Sequence, residues 1–249
     1  MTFRLIALDL DGTLLNKQKD ISEENVKWIK TAIKAGMKFT LATGRPIRDV
    51  AGYAARLGID CPLVVNNGSE VWETSEVLHS RRELTPGLIV RLFELLQSYG
   101  EELDFWAHTV GGKIDKTNIP ADPADVQWLQ FAFRSGNAVL LHGIRERLTS
   151  WNAFEISNSH ITNIECNAVG VNKASGLREV CTLVGIDMSQ VIAMGDSLND
   201  IPMIREAGLG IAMGNAQQAV KEAADLVAPG HQEDGVARMI ERHLPARGK

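Results

Sequence analysis

Cysteine is scarce in this chain. Cys61, Cys166 and Cys181 are the only three, far apart and without a Cys-x-x-Cys or Cys/His cluster. That excludes a disulfide framework and a cysteine zinc site and fits a reducing compartment, so a cytoplasmic protein is expected. No run of about 18 uncharged apolar residues occurs, which argues against a helical membrane span. The amino-terminal stretch Met1 to Leu8 meets an acid at Asp9, too soon for the hydrophobic region of a signal peptide. Positive charge is not in excess either. A net charge of -5 gives no field for a polyanion, so no nucleic acid and no membrane surface is expected as a partner, while a local pocket can still hold a small anion. The histidines are scattered without metal-ligand spacing. What is present is ordinary for a soluble globular chain: 45% hydrophobic and 23% charged residues leave no need for disorder. A length of 249 residues suits one large domain, or a domain carrying a smaller insert.

Leu5 to Leu8 is an apolar run ending in Asp-Leu-Asp-Gly-Thr, the pattern of a strand buried on both faces that meets a polar loop at its carboxyl end. Ser22 then caps a helix whose apolar stripe is Val26, Ile29 and Ile33 and which Gly36 stops. Met37 to Ala42 reads as a second strand, Pro46 to Leu57 as a helix with proline at its first position, and Leu63 to Val65 as a third strand. Asn67-Gly68, with the alternating runs Ser69 to Glu73 and Val77 to Arg81, predicts a turn and hairpin at the edge of this half. The same rhythm returns with a helix over 173–184, strands at 191–194, 209–213 and 226–227, and helices between them. From about Leu84 to Cys166 the texture changes to one helix (88–99), broken polar and aromatic strands around 104–108 and 151–156, and a Pro-Ala-Asp-Pro loop. The expected fold is therefore α/β: a Rossmann-like, doubly wound parallel sheet formed by 1–83 and 167–249, with an inserted smaller α+β domain at 84–166.

Asp9 and Asp11, two residues apart on an extended chain, face one small volume. One acid can attack while the other moves protons. Aspartate, with an ordinary pKa of about 3.9, is an anionic nucleophile at neutral pH without a helper base. Its approach to a phosphate dianion needs a cation, and Mg²⁺ suits a site of carboxylates and phosphate oxygens. Asp196 ends another parallel strand, so Asp9, Asp11 and Asp196 are expected to converge at the carboxyl ends of the sheet. Thr43 and Gly44 precede a helix whose free N–H groups predict a phosphate cradle, and Lys173 opens a later helix and adds a compact positive charge.

Asp9-Leu10-Asp11-Gly12-Thr13, Thr43-Gly44-Arg45, Asn66-Asn67-Gly68, Lys173 and Gly195-Asp196-Ser197-Leu198-Asn199-Asp200 resemble, in order and spacing, the motifs of the haloacid dehalogenase (HAD) superfamily. More narrowly, the chain resembles the Cof-type phosphatases, whose large cap is inserted between the second and third motifs. The resemblance covers essentially the whole chain, although Asn172 stands before the lysine where many relatives have a small residue. It implies a Mg²⁺-dependent phosphatase acting on a small phosphorylated metabolite, with Asp9 as nucleophile and Asp11 as acid and base. It further implies Mg²⁺ on the side chains of Asp9 and Asp196 and the carbonyl of Asp11, with Asp200 behind. Phosphate would be held by the Leu10 backbone, Thr43, Gly44, Lys173 and Asn199. A phosphomutase or a non-catalytic phosphate-binding regulator on the same fold are the alternatives; dehalogenation fits less well, because a halide leaving group needs no acid. Monomer and homodimer stay open.

Other features have plainer readings. Asp115-Lys116-Thr117 imitates the phosphorylated motif of ion-pumping ATPases, but Asn118 replaces the required glycine and no buried strand precedes it. Trp106, Trp128 and Trp151 read as core residues of the insert, His108 as a histidine away from any ligand, and Arg45 as a structural or cap-contacting arginine.

Overall fold

Short runs of apolar residues that have no polar side to offer water become the centre of a parallel sheet. In the computed structural model, which describes residues 3–244, the strands in chain order are β1 (Leu5–Leu8), β2 (Lys38–Leu41), β3 (Leu63–Val65), β4 (Glu70–Trp72), β5 (Leu78–Arg81), β6 (Asp104–Thr109), β7 (Gly112–Asp115), β8 (Trp128–Arg134), β9 (Phe154–Ser157), β10 (Asn163–Ala168), β11 (Val191–Gly195), β12 (Leu209–Ala212) and β13 (Leu226–Val227). The helices are α1 (Glu23–Lys34), α2 (Ala51–Leu57), α3 (Pro86–Tyr99), α4 (Ala138–Ser150), α5 (Lys173–Val184), α6 (Ile201–Glu206), α7 (Gln218–Ala223) and α8 (Gly235–His243). The parallel sheet has the order β13-β12-β11-β1-β2, so the earliest strand lies at its centre beside a strand almost 190 residues later. All four residues of β1 are buried, because apolar layers cover both faces. Ile6 and Leu8 pack with Phe39, Ile192 and the inner residues of α1 and α8, while Leu5 and Ala7 pack with Val191, Ala193 and α5.

The first half departs from the reading of its sequence in two places. β3 pairs with β4 and β5 in a separate antiparallel sheet and joins the parallel one only through a bridge between Ala42 and Val64. Helix α2 begins at Ala51, not at Pro46: Pro46 is extended (φ -74°, ψ 158°) and a 3₁₀ turn over Ile47–Asp49 intervenes.

The insert forms a second five-stranded sheet, antiparallel, in the order β7-β6-β8-β10-β9. β8 and α4 escaped the sequence reading. β8 is buried at six of its seven positions, so its Trp128-Leu-Gln-Phe-Ala-Phe run shows little alternation, and α4 is only weakly amphipathic around Leu141, Ile144 and Leu148. Trp151 caps the end of α4, outside any strand, and holds Arg91 over its ring at 4.0 Å. Trp128 is core. β10 carries the sheet two residues past 166. Among the described residues no helix is long and apolar enough to cross a membrane. Met1, Thr2 and the last five residues lie outside the described part.

Candidate active site

β1 and β11 run side by side with Leu8 opposite Met194, and the Asp9 N–H donates to the Met194 carbonyl at 3.0 Å. Both strands then end, so Asp9 and Asp196 emerge as neighbours. Two glycines make room. Gly12 turns at φ +84°, where a Cβ would collide with the Asp196 carboxylate, and a Cβ on Gly195 would collide with Asp200. Asp200 folds back to accept from the N–H groups of Asp196 (2.8 Å) and Ser197 (3.0 Å). One oxygen from each of Asp9, Asp196 and Asp200 consequently lies within 4.8 Å of the others. Lys173, fully buried on the first turn of α5, donates to Asp9 at 2.6 Å and to Asp200 at 2.7 Å. A reciprocal cap between Asn172 and Ser175 fixes that turn, which gives Asn172 its place before the lysine.

Burial raises the Asp9 pKa well above the ordinary range, Lys173 opposes this, and the charges of Asp200 and Asp196 add to it. Asp196 is pushed up to about 7, first by burial and then by Asp200. Burial works against the charge of Lys173, but Asp200 and Asp9 outweigh it and keep the ammonium protonated. In this cluster three carboxylates lie around one ammonium: burial favours the protonated acid, the bond from Lys173 favours the anion, and a further cation shifts the balance towards the ionised Asp9 that the sequence reading expects. Hard oxygen ligands carrying excess negative charge in a small buried volume fit a divalent ion such as Mg²⁺.

Asp11 stands apart from the trio. Its carboxylate accepts from Arg45 Nε (2.6 Å) and Nη2 (2.7 Å) and from Lys19 Nζ (2.6 Å). Partial burial pushes its pKa up, yet the bonds from Arg45 and Lys19 outweigh burial and hold it below the usual carboxylate range. Arg45, read from sequence as structural or cap-contacting, is the bidentate partner of Asp11 and also lies over Tyr53.

Of the residues assigned to phosphate, Thr43, Gly44 and Asn199 line one cavity of about 340 Å³ with Asp9 and Asp11; Leu10 and Lys173 are not among its lining residues, Lys173 being bonded to Asp9. The backbone N–H groups of Leu10 and Gly44 have no protein acceptor among the described residues. The cradle itself needs correction: because α2 starts at Ala51, the N–H groups near Gly44 belong to a loop and not to a helix end, and the Thr43 hydroxyl accepts from the Arg45 N–H at 3.2 Å. Asn199 donates to Asn67 at 3.1 Å and leaves its buried Oδ1 without a partner.

The cap shares in this cavity through residues that the sequence reading did not single out as ligands. Asn66 and Asn67 both adopt positive φ (49° and 56°), and each reaches the cap: Asn66 Oδ1 lies 2.9 Å from His108 Nδ1, and Asn67 Nδ2 donates to Glu165 at 2.7 Å. Trp106, His108, Gln130, His160 and Glu165 line the cavity. Trp106 is therefore not part of the cap core, and His108 faces the cavity beside it. The polar-apolar alternation Asn163-Ile164-Glu165-Cys166-Asn167 was the available sign that Glu165 points away from the cap core. Asp115 lies on an edge strand opposite Trp106, bonded to Thr117, and is not among the residues that line the cavity of the acids.

His108 carries its own prediction. Burial, aided by Arg48 and Lys113 and opposed by Asp49, lowers its pKa to about 4. The unfolded chain, at about 6.5, binds the proton first, so stability present above pH 6.5 drains away as pH falls towards 4, by up to about 3 kcal/mol. Urea unfolding at pH 7 and pH 4.5 is expected to show a smaller loss in His108→Gln than in the wild type; equal losses contradict it.

Comparison with known proteins agrees with this geometry. The sequence matches the haloacid dehalogenase-like hydrolase family over residues 6–118 and 107–240, and the chain belongs to that family, on its Cof-type branch. It is 42% identical over 240 residues to a 5-amino-6-(5-phospho-D-ribitylamino)uracil phosphatase of Bacillus subtilis, covering 96% of this chain and 95% of that protein. It is 28% identical to a pyridoxal phosphate phosphatase of Escherichia coli, covering 98% and 100% of the two chains. A haloacid dehalogenase-like hydrolase from Bacillus subtilis superposes with a TM-score of 0.85 at 23% identity, covering 96% of this chain and 99% of that one.

Proposed function

We propose that this hydrolase is a Mg²⁺-dependent phosphatase that cleaves a small organic phosphate monoester through an aspartyl-phosphate on Asp9. The observation that carries the reading is the meeting of Asp9, Asp196 and Asp200 beyond the ends of adjacent strands β1 and β11 with Lys173 from α5, where Asp9 opens onto a cavity that core and cap residues line together. Asp9, Asp196 and Asp200, with the carbonyl of Asp11, would hold Mg²⁺. The ion, when bound, offsets the negative charge of the phosphoryl oxygens. Asp9 Oδ attacks phosphorus, the bond to the leaving oxygen breaks, and Asp11 gives that oxygen its proton. Water then attacks the acyl phosphate, Asp11 takes the proton, and phosphate and Asp9 are released. The unbonded N–H groups of Leu10 and Gly44, with Lys173 and Asn199, orient the transferred group, and Thr43 supports their loop. In the empty cavity Asp11 is ionised, the form that serves as base. A phosphate dianion entering beside it competes for Arg45 and Lys19 and raises the Asp11 pKa, which readies it as acid. We assign the cap to residues 84–168, two past the boundary read from the sequence because β10 continues to Ala168, and the catalytic core to 1–83 and 169–249.

The reading makes a binding prediction. Mg²⁺ added to metal-free protein raises the melting temperature, equivalent to about 2.7 kcal/mol at one hundred times its dissociation constant. Protons compete for the same oxygens, so the rise is larger at pH 8 than at pH 6. EDTA reversibly stops turnover of p-nitrophenyl phosphate. A melting temperature indifferent to Mg²⁺ at pH 8 removes the metal site. The phosphates named for the relatives, a ribitylaminouracil phosphate and pyridoxal phosphate, are the first substrates to assay.

A further inference from the structure

Alternation along β6, β8 and β10 divides the cap sheet into two faces. Phe105, Phe131 and Phe133 pack into the cap core, while Trp106, His108, Gln130 and Glu165 turn towards the acids. Gln130 stands opposite His108 in the β6–β8 ladder, lies beside that imidazole and is 1% exposed, yet its Oε1 is left without a partner. Buried amides are ordinarily matched by a partner, so an unmatched one on the wall of a substrate cavity calls for a ligand group. Glu165, on the same face, accepts from Asn67 (2.7 Å), from Asn163 (3.3 Å) and from the Ser159 hydroxyl, which still leaves room among the roughly four acceptor positions of a carboxylate. The cations of this cavity, Lys19 and Arg45, are both held by Asp11. Beside Gln130 the wall therefore offers acceptors, while Lys113, Lys116 and Arg134 line the chamber farther out and not this one. That outer chamber, of about 680 Å³, continues past Trp106, His108 and His160 and gives length to whatever the first chamber admits.

We propose that Gln130 is a specificity-determining residue that binds a hydroxyl or N–H donor of the leaving group, with Glu165 beside it, so that the enzyme selects neutral, hydroxyl-rich esters over plain alkyl or carboxylate-bearing ones. A carboxylate there meets the charge of Glu165 without relief, and an alkyl chain leaves the Gln130 amide unpaired. This rests on the phosphatase reading, and the test separates the two. Values of kcat/KM are measured with Mg²⁺ for ribitol 5-phosphate, n-pentyl phosphate and phosphoglycolate, in the wild type, Gln130→Met and Gln130→Asn. The wild type is expected to favour the ribitol ester, and Gln130→Met to lower the ribitol-to-pentyl ratio roughly 10- to 100-fold, mainly through KM. Gln130→Asn, which keeps an amide, recovers part of the ratio. An unchanged ratio in Gln130→Met, with both rates falling together, makes Gln130 merely structural and overturns the proposal, as does a wild-type preference for phosphoglycolate. Wild-type protein that turns over none of the three overturns the phosphatase reading itself.

Discussion

Asp9→Asn abolishes hydrolysis of p-nitrophenyl phosphate, lowering kcat by at least about 10⁴-fold, while the protein remains folded. Asn offers no anionic oxygen, so the acyl phosphate cannot form, and the remaining cavity groups then have no covalent step to assist. The fold survives because Lys173 keeps Asp200 as its partner at 2.7 Å, and the repulsion among the acids falls by one charge. The metal-free variant is therefore expected within about 1 kcal/mol of the wild type in urea unfolding. Steady-state kinetics and unfolding on one preparation check both halves. Retained turnover in pure Asp9→Asn refutes the covalent mechanism, whatever the motifs look like.

Lys173→Met has the largest expected effect on stability. It removes the one ammonium that, among the described residues, is bonded to Asp9 and Asp200, both of which are buried, and so leaves uncompensated carboxylates in the core, a change that costs about 3–5 kcal/mol. The sign with pH follows from the acids. Asp9 and Asp196 already have folded pKa values raised above the unfolded ones, and losing Lys173 raises them further. Such groups stabilise fully below the unfolded pKa, and that stability is lost as pH rises through the folded value, so the deficit of Lys173→Met is larger at pH 8 than at pH 5. Mg²⁺ is expected to recover part of it by supplying another positive charge. Activity falls as well, since the transferred oxygens lose their nearest fixed cation. A variant as stable as the wild type at pH 8 without metal contradicts the charge balance assigned to the site.

These expectations draw on different parts of the molecule. The carboxyl ends of β1 and β11 were legible because an apolar run followed by Asp-x-Asp, or by Gly-Asp, has one physical meaning in a parallel sheet. The span of α5 was legible at 173–184, and the structure ends it with the Asn172 cap on one side and Gly185, at φ 67°, on the other. β8 was hidden because burial on both faces erases alternation, and α4 because its apolar residues are too few to mark a stripe. The start of α2 was misplaced because proline suits both the first turn of a helix and the extended loop it occupies here.

For the site, the amino-acid sequence by itself determined which acids and which lysine stand at strand ends and helix starts, since local burial and capping are written in neighbouring residues. Only the tertiary structure decided that Arg45 and Lys19 hold Asp11, that Asn66 and Asn67 reach His108 and Glu165, and that Gln130 lines the cavity unpaired. The contacts of Asn66 and Asn67 join the core to residues of a sheet folded apart from it, across up to 98 positions of chain. No local pattern encodes them, because they depend on how two separately packed cores come to rest against each other.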